Sequence, residues 1–181
     1  MNRNELLQSW LHQVIPNEAF GLTTASADAS FRRYFRVHMA DQTLIAMDAP
    51  PPQEDCRPFV HVAEVLLLAG LNVPRVIAQD LEQGFLLLSD LGDTTYLSLL
   101  NENTADALYG DASNALITMQ LASKAGVFPA YDEALLTREM QLFPDWYIAK
   151  HLAITLDQAD MQVLQATFAL LNTNILTQVP V

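Results

Sequence analysis

The sequence predicts an α+β fold, with strands gathered in its first half and helices in its second. Two observations carry this. Five short strand-type runs fall within the first ninety residues, broken by proline, glycine and acidic turns, with one helical pattern between the third and the fourth. After Asp90-Leu-Gly-Asp93 the apolar period becomes helical, and no strand pattern follows. The hydrophobic content of 51% over 181 residues is ample for a packed core, in one domain or two small ones.

Leu6, Leu7, Trp10, Leu11, Val14 and Ile15 recur at helical spacing over residues 2–15, and Pro16 stops the run. Residues 21–25, 31–39 and 42–47 read as strands, the last two joined by Ala40-Asp41 as a tight turn. The prolines at 50–52 end the third strand, because consecutive prolines cannot sit inside a sheet. Residues 57–71 are helical, with Phe59, Val62, Ala63, Leu66 and Leu67 in pattern and Gly70 as the terminator. Residues 73–78 and 84–89 read as two further strands around the acidic turn 79–83, and 95–100, 105–125, 134–154 and 157–176 as helices. The expected division is an N-terminal helix over 1–17, a strand-rich lobe over 18–90 and a helical lobe over 91–181, with no internal repeat.

Charge narrows the function. Nine Lys+Arg stand against 21 Asp+Glu, a net charge of −12, which argues against nucleic acid or anionic lipid held by bulk electrostatics. No apolar run approaches the roughly 20 residues of a membrane helix, and the N-terminus lacks a signal peptide's basic patch and apolar core. Cys56 is the only cysteine, so neither an intramolecular disulfide nor a cysteine-based zinc site can form. The expectation is a soluble cytoplasmic protein. Against this acidic background Arg32, Arg33 and Arg36 crowd into one short segment, while the two lysines, Lys124 and Lys150, lie far along the chain. A basic turn on an acidic protein suits a small anion such as a phosphate; solvated hairpin arginines are the plainer alternative.

Five motifs in order carry a resemblance: Asp28-Ala-Ser-Phe-Arg-Arg-Tyr-Phe-Arg36, Met47-Asp-Ala-Pro-Pro51, Leu71-Asn-Val-Pro74, Leu87-Leu-Ser-Asp-Leu-Gly-Asp93 and Arg138-Glu-Met-Gln-Leu-Phe-Pro-Asp-Trp-Tyr147. With the element order, they make the chain resemble the aminoglycoside/choline-kinase-type phosphotransferases. Within these it looks most like the bacterial branch that phosphorylates the anomeric hydroxyl of N-acetylmuramate and N-acetylglucosamine in cell-wall recycling. The resemblance implies a protein-kinase-like fold, with a five-stranded antiparallel N-lobe carrying one helix and an incomplete helical C-lobe. It also implies ATP and Mg2+ as cofactors and an amino sugar as substrate.

The resemblance assigns roles residue by residue. Ser26, Asp28, Ala29 and Ser30 would lie over the ATP phosphates, with Arg32 and Arg33 adding charge; the loop holds no glycine, unlike the Gly-rich kinase pattern. Met47 stands where the third strand should carry the phosphate-binding lysine, and no lysine precedes Lys124, so an arginine, or metal and backbone, must supply that charge. Glu64 matches the helix glutamate that pairs with that lysine; here an arginine partner and a solvated charge are both open. Ser89, Asp90 and Leu91 would form the hinge that reads the adenine edge through backbone groups. Arg138, Glu139, Trp146 and Tyr147 could line a sugar site, but at helical spacing the aromatics read as core and the charged pair as solvated. The family's His-x-Asp catalytic loop and later Asp-Phe motif are missing, and none of His12, His38, His61 and His151 has the surrounding pattern. The chain is therefore expected to be a truncated enzyme, inactive alone, with no catalytic residue within it. A non-catalytic kinase-like module binding nucleotide or a partner, and a kinase of aminoglycosides or amino alcohols, are the alternatives.

Overall fold

Five strands form one antiparallel sheet: β1 (Gly21–Ala27), β2 (Arg33–His38), β3 (Thr43–Asp48), β4 (Val76–Asp80) and β5 (Phe85–Ser89), in the order β1-β2-β3-β5-β4. The computed structural model describes residues 2–27 and 30–178, the side chains of Ser26 and Ala27 excepted. The helices are α1 (Arg3–Val14), α2 (Arg57–Leu68), α3 (Tyr96–Leu99), α4 (Ala105–Ala122), α5 (Glu133–Leu142) and α6 (Gln158–Leu176). Two compact units divide the chain, Met1–Ala122 and Ser123–Val181. Among the described residues no helix is long and apolar enough to cross a membrane.

In the first unit the sheet is covered on both faces. The face formed by Phe35, Val37, Leu44, Ala46, Phe85 and Leu87 packs against Leu7, Trp10, Leu11 and Ile15 of the α1 segment. The opposite face, with Tyr34, Ile45, Met47, Leu86 and Leu88, packs against Cys56, Phe59 and Val60 at the start of α2. This explains why β5 is apolar at four consecutive positions, Phe85 to Leu88, all buried: a central strand sandwiched between helices has no solvent side. Met47, which stands where the resemblance expects a lysine, is fully buried core.

Local chemistry fixes the ends of these elements. Asn2 and Glu5 form a capping box on α1. Beyond α2, Gly70 adopts φ +83 and its N–H reaches the Leu67 carbonyl at 3.0 Å while the Leu71 N–H reaches Leu66 at 3.1 Å, a Schellman closure. The turn expected at Ala40-Asp41 is closed by Met39 N–H to the Gln42 carbonyl, 3.0 Å. Gly84 has no substitute. Its φ is +72, and a Cβ there would stand 2.0 Å from the Ala49 carbonyl oxygen.

Several expected boundaries move. The first strand runs on to Ala27, and the second begins at Arg33, leaving Phe31 out and 67% exposed. The fourth begins at Val76 rather than Val73, because Pro74 has no N–H to give a ladder. Arg75 still pairs: its N–H donates to the Ser89 hydroxyl and its carbonyl accepts from the Ser89 N–H, both 2.9 Å.

In the second unit the helix expected over 134–154 is two pieces. After α5 the chain widens into a π-helix, Phe143–His151, closed by Leu152 N–H to the Tyr147 carbonyl at 2.9 Å. Pro144 sits at the junction; it lacks the N–H an α-turn needs and its ring crowds the carbonyl four residues back. The reading of Trp146 and Tyr147 as core aromatics is corrected. They are 64% and 49% exposed, because α5, the π-helix and α6 bury only Leu136, Pro144 and Asn172 among their residues. Phe143, Tyr147 and His151 instead stack along the π-helix at 5.5 Å spacings. Arg138 and Glu139 are exposed neighbours 3.7 Å apart.

Candidate functional site

The three clustered arginines divide between the two faces of the sheet and take three different carboxylates. Strand alternation puts Arg33 on the α1 side, cross-strand from Asp48, and Arg36 on the α2 side, cross-strand from Ile45. Arg32, just before β2, keeps the alternation: it contacts Tyr34 on the α2 side and pairs with Glu54 in the loop leading to α2.

Arg33 donates to Asp48 through Nε at 3.1 Å and through an Nη, while Arg3 of α1 donates to the other oxygen at 2.7 Å. Arg3 also donates to the Gln83 carbonyl and lies 4.3 Å from the centroid of the Phe85 ring. Asp48 is completely buried. Two cations on one buried carboxylate tie α1, β2 and β3 together and leave the cluster one positive charge in excess.

Arg36 grips Asp90 with Nε at 2.7 Å and an Nη at 3.3 Å. Asp90 also accepts from the Gly92 N–H at 2.8 Å and interacts with Thr43. Burial is the largest influence on the Asp90 carboxyl and pushes it upward, but these donors together outweigh it and hold it below the usual carboxylate range. The bond to Asp90 raises Arg36 in turn. The chain leaving β5 is thus clamped to β2 by a side chain, while the Leu91 backbone N–H and C=O make no hydrogen bond among the described residues and its side chain is 54% exposed.

Arg32 is bound more loosely. It reaches Glu54 through Nε alone, at 2.9 Å, and Glu54 spends its other oxygen on the Phe31 N–H at 3.2 Å. Burial acts downward on Arg32 and is the largest influence, yet bonding to Glu54 and Tyr34 prevails and its pKa rises. The Arg32 N–H donates to the Ser30 hydroxyl at 3.2 Å.

The expected site residues fare differently. Ser30 and Arg32 are brought together at the start of β2, and Ser89, Asp90 and Leu91 at the end of β5. Ser26 lies at an irregularity in β1, opposite Tyr34. Asp28 and Ala29 lie outside the described residues. Glu64 is exposed on α2, whose inward residues are Val60 and Ala63, and among the described residues it makes no ion pair: the solvated alternative is the one seen. Cys56 is buried, which pushes its thiol up and away from nucleophile chemistry. Among the described residues no group of three His, Cys, Asp or Glu could hold a metal ion. A shallow recess lined by Leu7, Gln8, Leu22 and Phe35 lies between α1 and the first strands, on the face away from Arg36 and Asp90.

Asp48, Arg3 and Glu54 had no assigned role in the sequence. A lone aspartate directly after the apolar run 44–47 was the available signal for the first. Arg3 and Glu54 lie too far along the chain from their partners for any local pattern to mark them.

A family model described as a phosphotransferase enzyme family matches residues 21–179. Three curated relatives carry the name N-acetylmuramate/N-acetylglucosamine kinase. The chain is 56% identical to that of Pseudomonas aeruginosa, over 86% of this chain and 49% of the relative. It is 46% identical to that of Pseudomonas putida, over 95% and 52%, and 39% identical to that of Neisseria meningitidis serogroup B, over 98% and 54%. The chain spans about half the length of the curated relatives it matches.

Proposed function

Because the chain belongs to the phosphotransferase enzyme family, we propose that it forms the nucleotide-holding part of a cytoplasmic, ATP-dependent kinase that phosphorylates the anomeric hydroxyl of N-acetylmuramate and N-acetylglucosamine in peptidoglycan recycling. The observation that carries the sugar is the 56% identity to a kinase named for those two sugars, over 86% of this chain.

The residues support a nucleotide. At the end of β5 the unengaged Leu91 N–H and C=O offer one donor and one acceptor, the pattern an adenine edge needs. Arg36 and Thr43 hold Asp90 so that this edge keeps its direction. Ser26 lies at the irregularity near the end of β1 and Ser30 just before β2, and small residues such as these let a backbone approach phosphate oxygens. Magnesium would neutralise the phosphoryl oxygens in such a transfer. Among the described residues no group of three His, Cys, Asp or Glu could hold it. A catalytic His-x-Asp pattern is absent from the sequence, and the 181 residues alone are expected not to turn over.

The test is a substrate panel with γ-labelled ATP and the protein purified from its natural source: N-acetylmuramate, N-acetylglucosamine, an aminoglycoside and choline. Label on the anomeric oxygen of the two amino sugars supports the proposal. Transfer only to the aminoglycoside or choline moves the chain to another substrate class. ATP binding without transfer to any of the four makes it a non-catalytic module.

A further inference from the structure

We infer that Arg32, aimed by Glu54, is the cation of this chain that receives a nucleotide's polyphosphate, in place of the lysine that β3 lacks. The inference rests on the nucleotide reading above and narrows it to one side chain.

Three observations single out Arg32. The first is its face. Tyr34 is cross-strand from Met47, the position without its lysine, and Arg32 lies against Tyr34. Arg33 stands on the other face, beneath α1, committed to Asp48. The second is its carboxylate contact. Arg33 and Arg36 each use Nε and an Nη on their carboxylates, whereas Arg32 gives Glu54 its Nε alone, and its other side-chain partner is the neutral Tyr34 hydroxyl, so no carboxylate occupies its terminal fork. That fork is the part of a guanidinium that matches two phosphate oxygens. The third is its setting. Glu54 is largely buried, its side chain 12% exposed, and it holds both Arg32 and the Phe31 N–H, so it fixes the arginine just ahead of β2.

The arrangement reverses the origin of the usual pair. In the resembled family the cation comes from the third strand and the carboxylate from the following helix; here the cation comes from the start of β2 and the carboxylate from the loop before α2. Glu64 is exposed, on the face of α2 away from the inward Val60 and Ala63, and makes no ion pair among the described residues, while Met47 is buried. Glu54 is a positioning residue, touching Arg32 rather than the phosphates.

Calorimetry on the 181-residue chain with ATP, adenosine and inorganic tripolyphosphate tests this without any turnover. Arg32→Ala should weaken ATP and tripolyphosphate about tenfold, the loss of a charged hydrogen-bonding group, and change adenosine less than about twofold. Arg32→Lys, which keeps the charge and loses the fork, should fall between wild type and alanine. Glu54→Gln should cost about threefold on tripolyphosphate by freeing the arginine's rotamers. Arg57→Ala removes the same charge from an exposed pair with Asp55 and Glu82 and controls for bulk electrostatics. The inference is overturned if Arg32→Ala leaves tripolyphosphate unchanged, if ATP and adenosine fall together, or if Arg57→Ala matches it. A wild-type chain that binds tripolyphosphate through Arg32 but not adenosine overturns the nucleotide reading and keeps the polyphosphate cation. A wild-type chain that binds none of the three overturns both.

Discussion

Arg33 and Asp48 face each other across β2 and β3, and the carboxylate between them and Arg3 is sealed from solvent. Removing its charge should be costly. Asp48→Asn leaves two guanidinium groups facing a neutral amide, and breaking a buried pair in this way costs roughly 3 kcal/mol or more. The exposed margins of Arg3 and Arg33 soften this, with 26% and 43% of their side-chain surface in water. Urea unfolding of the variant checks it; an unchanged midpoint would show the cluster to be a bystander.

Gly84→Ala should be equally damaging for a steric reason. The new Cβ would collide with the Ala49 carbonyl oxygen at 2.0 Å, and φ +72 is unfavourable for any L side chain. A loss of about 2–3 kcal/mol is expected, with the Ala49 N–H, now bonded to the Gly84 carbonyl at 2.8 Å, exchanging faster in deuterium oxide. Gly110→Ala, where a Cβ would meet nothing within 4 Å, is the control and should not destabilise.

Arg36 and Asp90 should be coupled energetically. In a double-mutant cycle of Arg36→Ala and Asp90→Ala, the two losses should be less than additive in sum, a favourable coupling between the partners. Asp90→Ala should also free the Gly92 N–H, which now donates to Asp90 at 2.8 Å, and Arg36→Ala should loosen the carboxylate that accepts it. Additive effects, with no change in Gly92 exchange, would mean that the connector holds its own shape.

The same carboxylate sets a pH dependence. The folded Asp90 has its pKa lowered from 3.8. A depressed carboxylate gives its full stabilisation above the unfolded value and loses it as pH falls through the folded one. The stability gap between wild type and Asp90→Asn should therefore be constant at neutral pH and shrink below about pH 4. Denaturant midpoints at pH 7, 5 and 3 measure it; a gap that grows towards acid would contradict the assignment.

Much of the fold was legible because its signals are local. The period of Leu6 to Ile15, the strand run 42–47 and the apolar 85–88 each declare an element on their own residues, and Gly70 ends α2 by a conformation few other residues adopt. Pro144 was visible too, yet its effect, a widened turn rather than a break, depends on how the flanking helix ends fit together. The site was less legible. The arginine cluster advertised an anion, but how each arginine is engaged is decided by Asp48, Glu54 and Asp90, and these partners lie 15, 22 and 54 residues away along the chain. Sheet register, not sequence proximity, makes those pairs.

The placement of α1 bears on how this protein is cut for study. The family model starts at residue 21, past the helix that covers Val37, Leu44, Ala46, Phe85 and Leu87 and sends Arg3 to Asp48. A cloning boundary drawn at that point would strip one side of the sheet bare and strand a carboxylate with half its counter-charge. The evolutionary module and the cooperative folding unit therefore differ by one helix, and expression trials should respect the second.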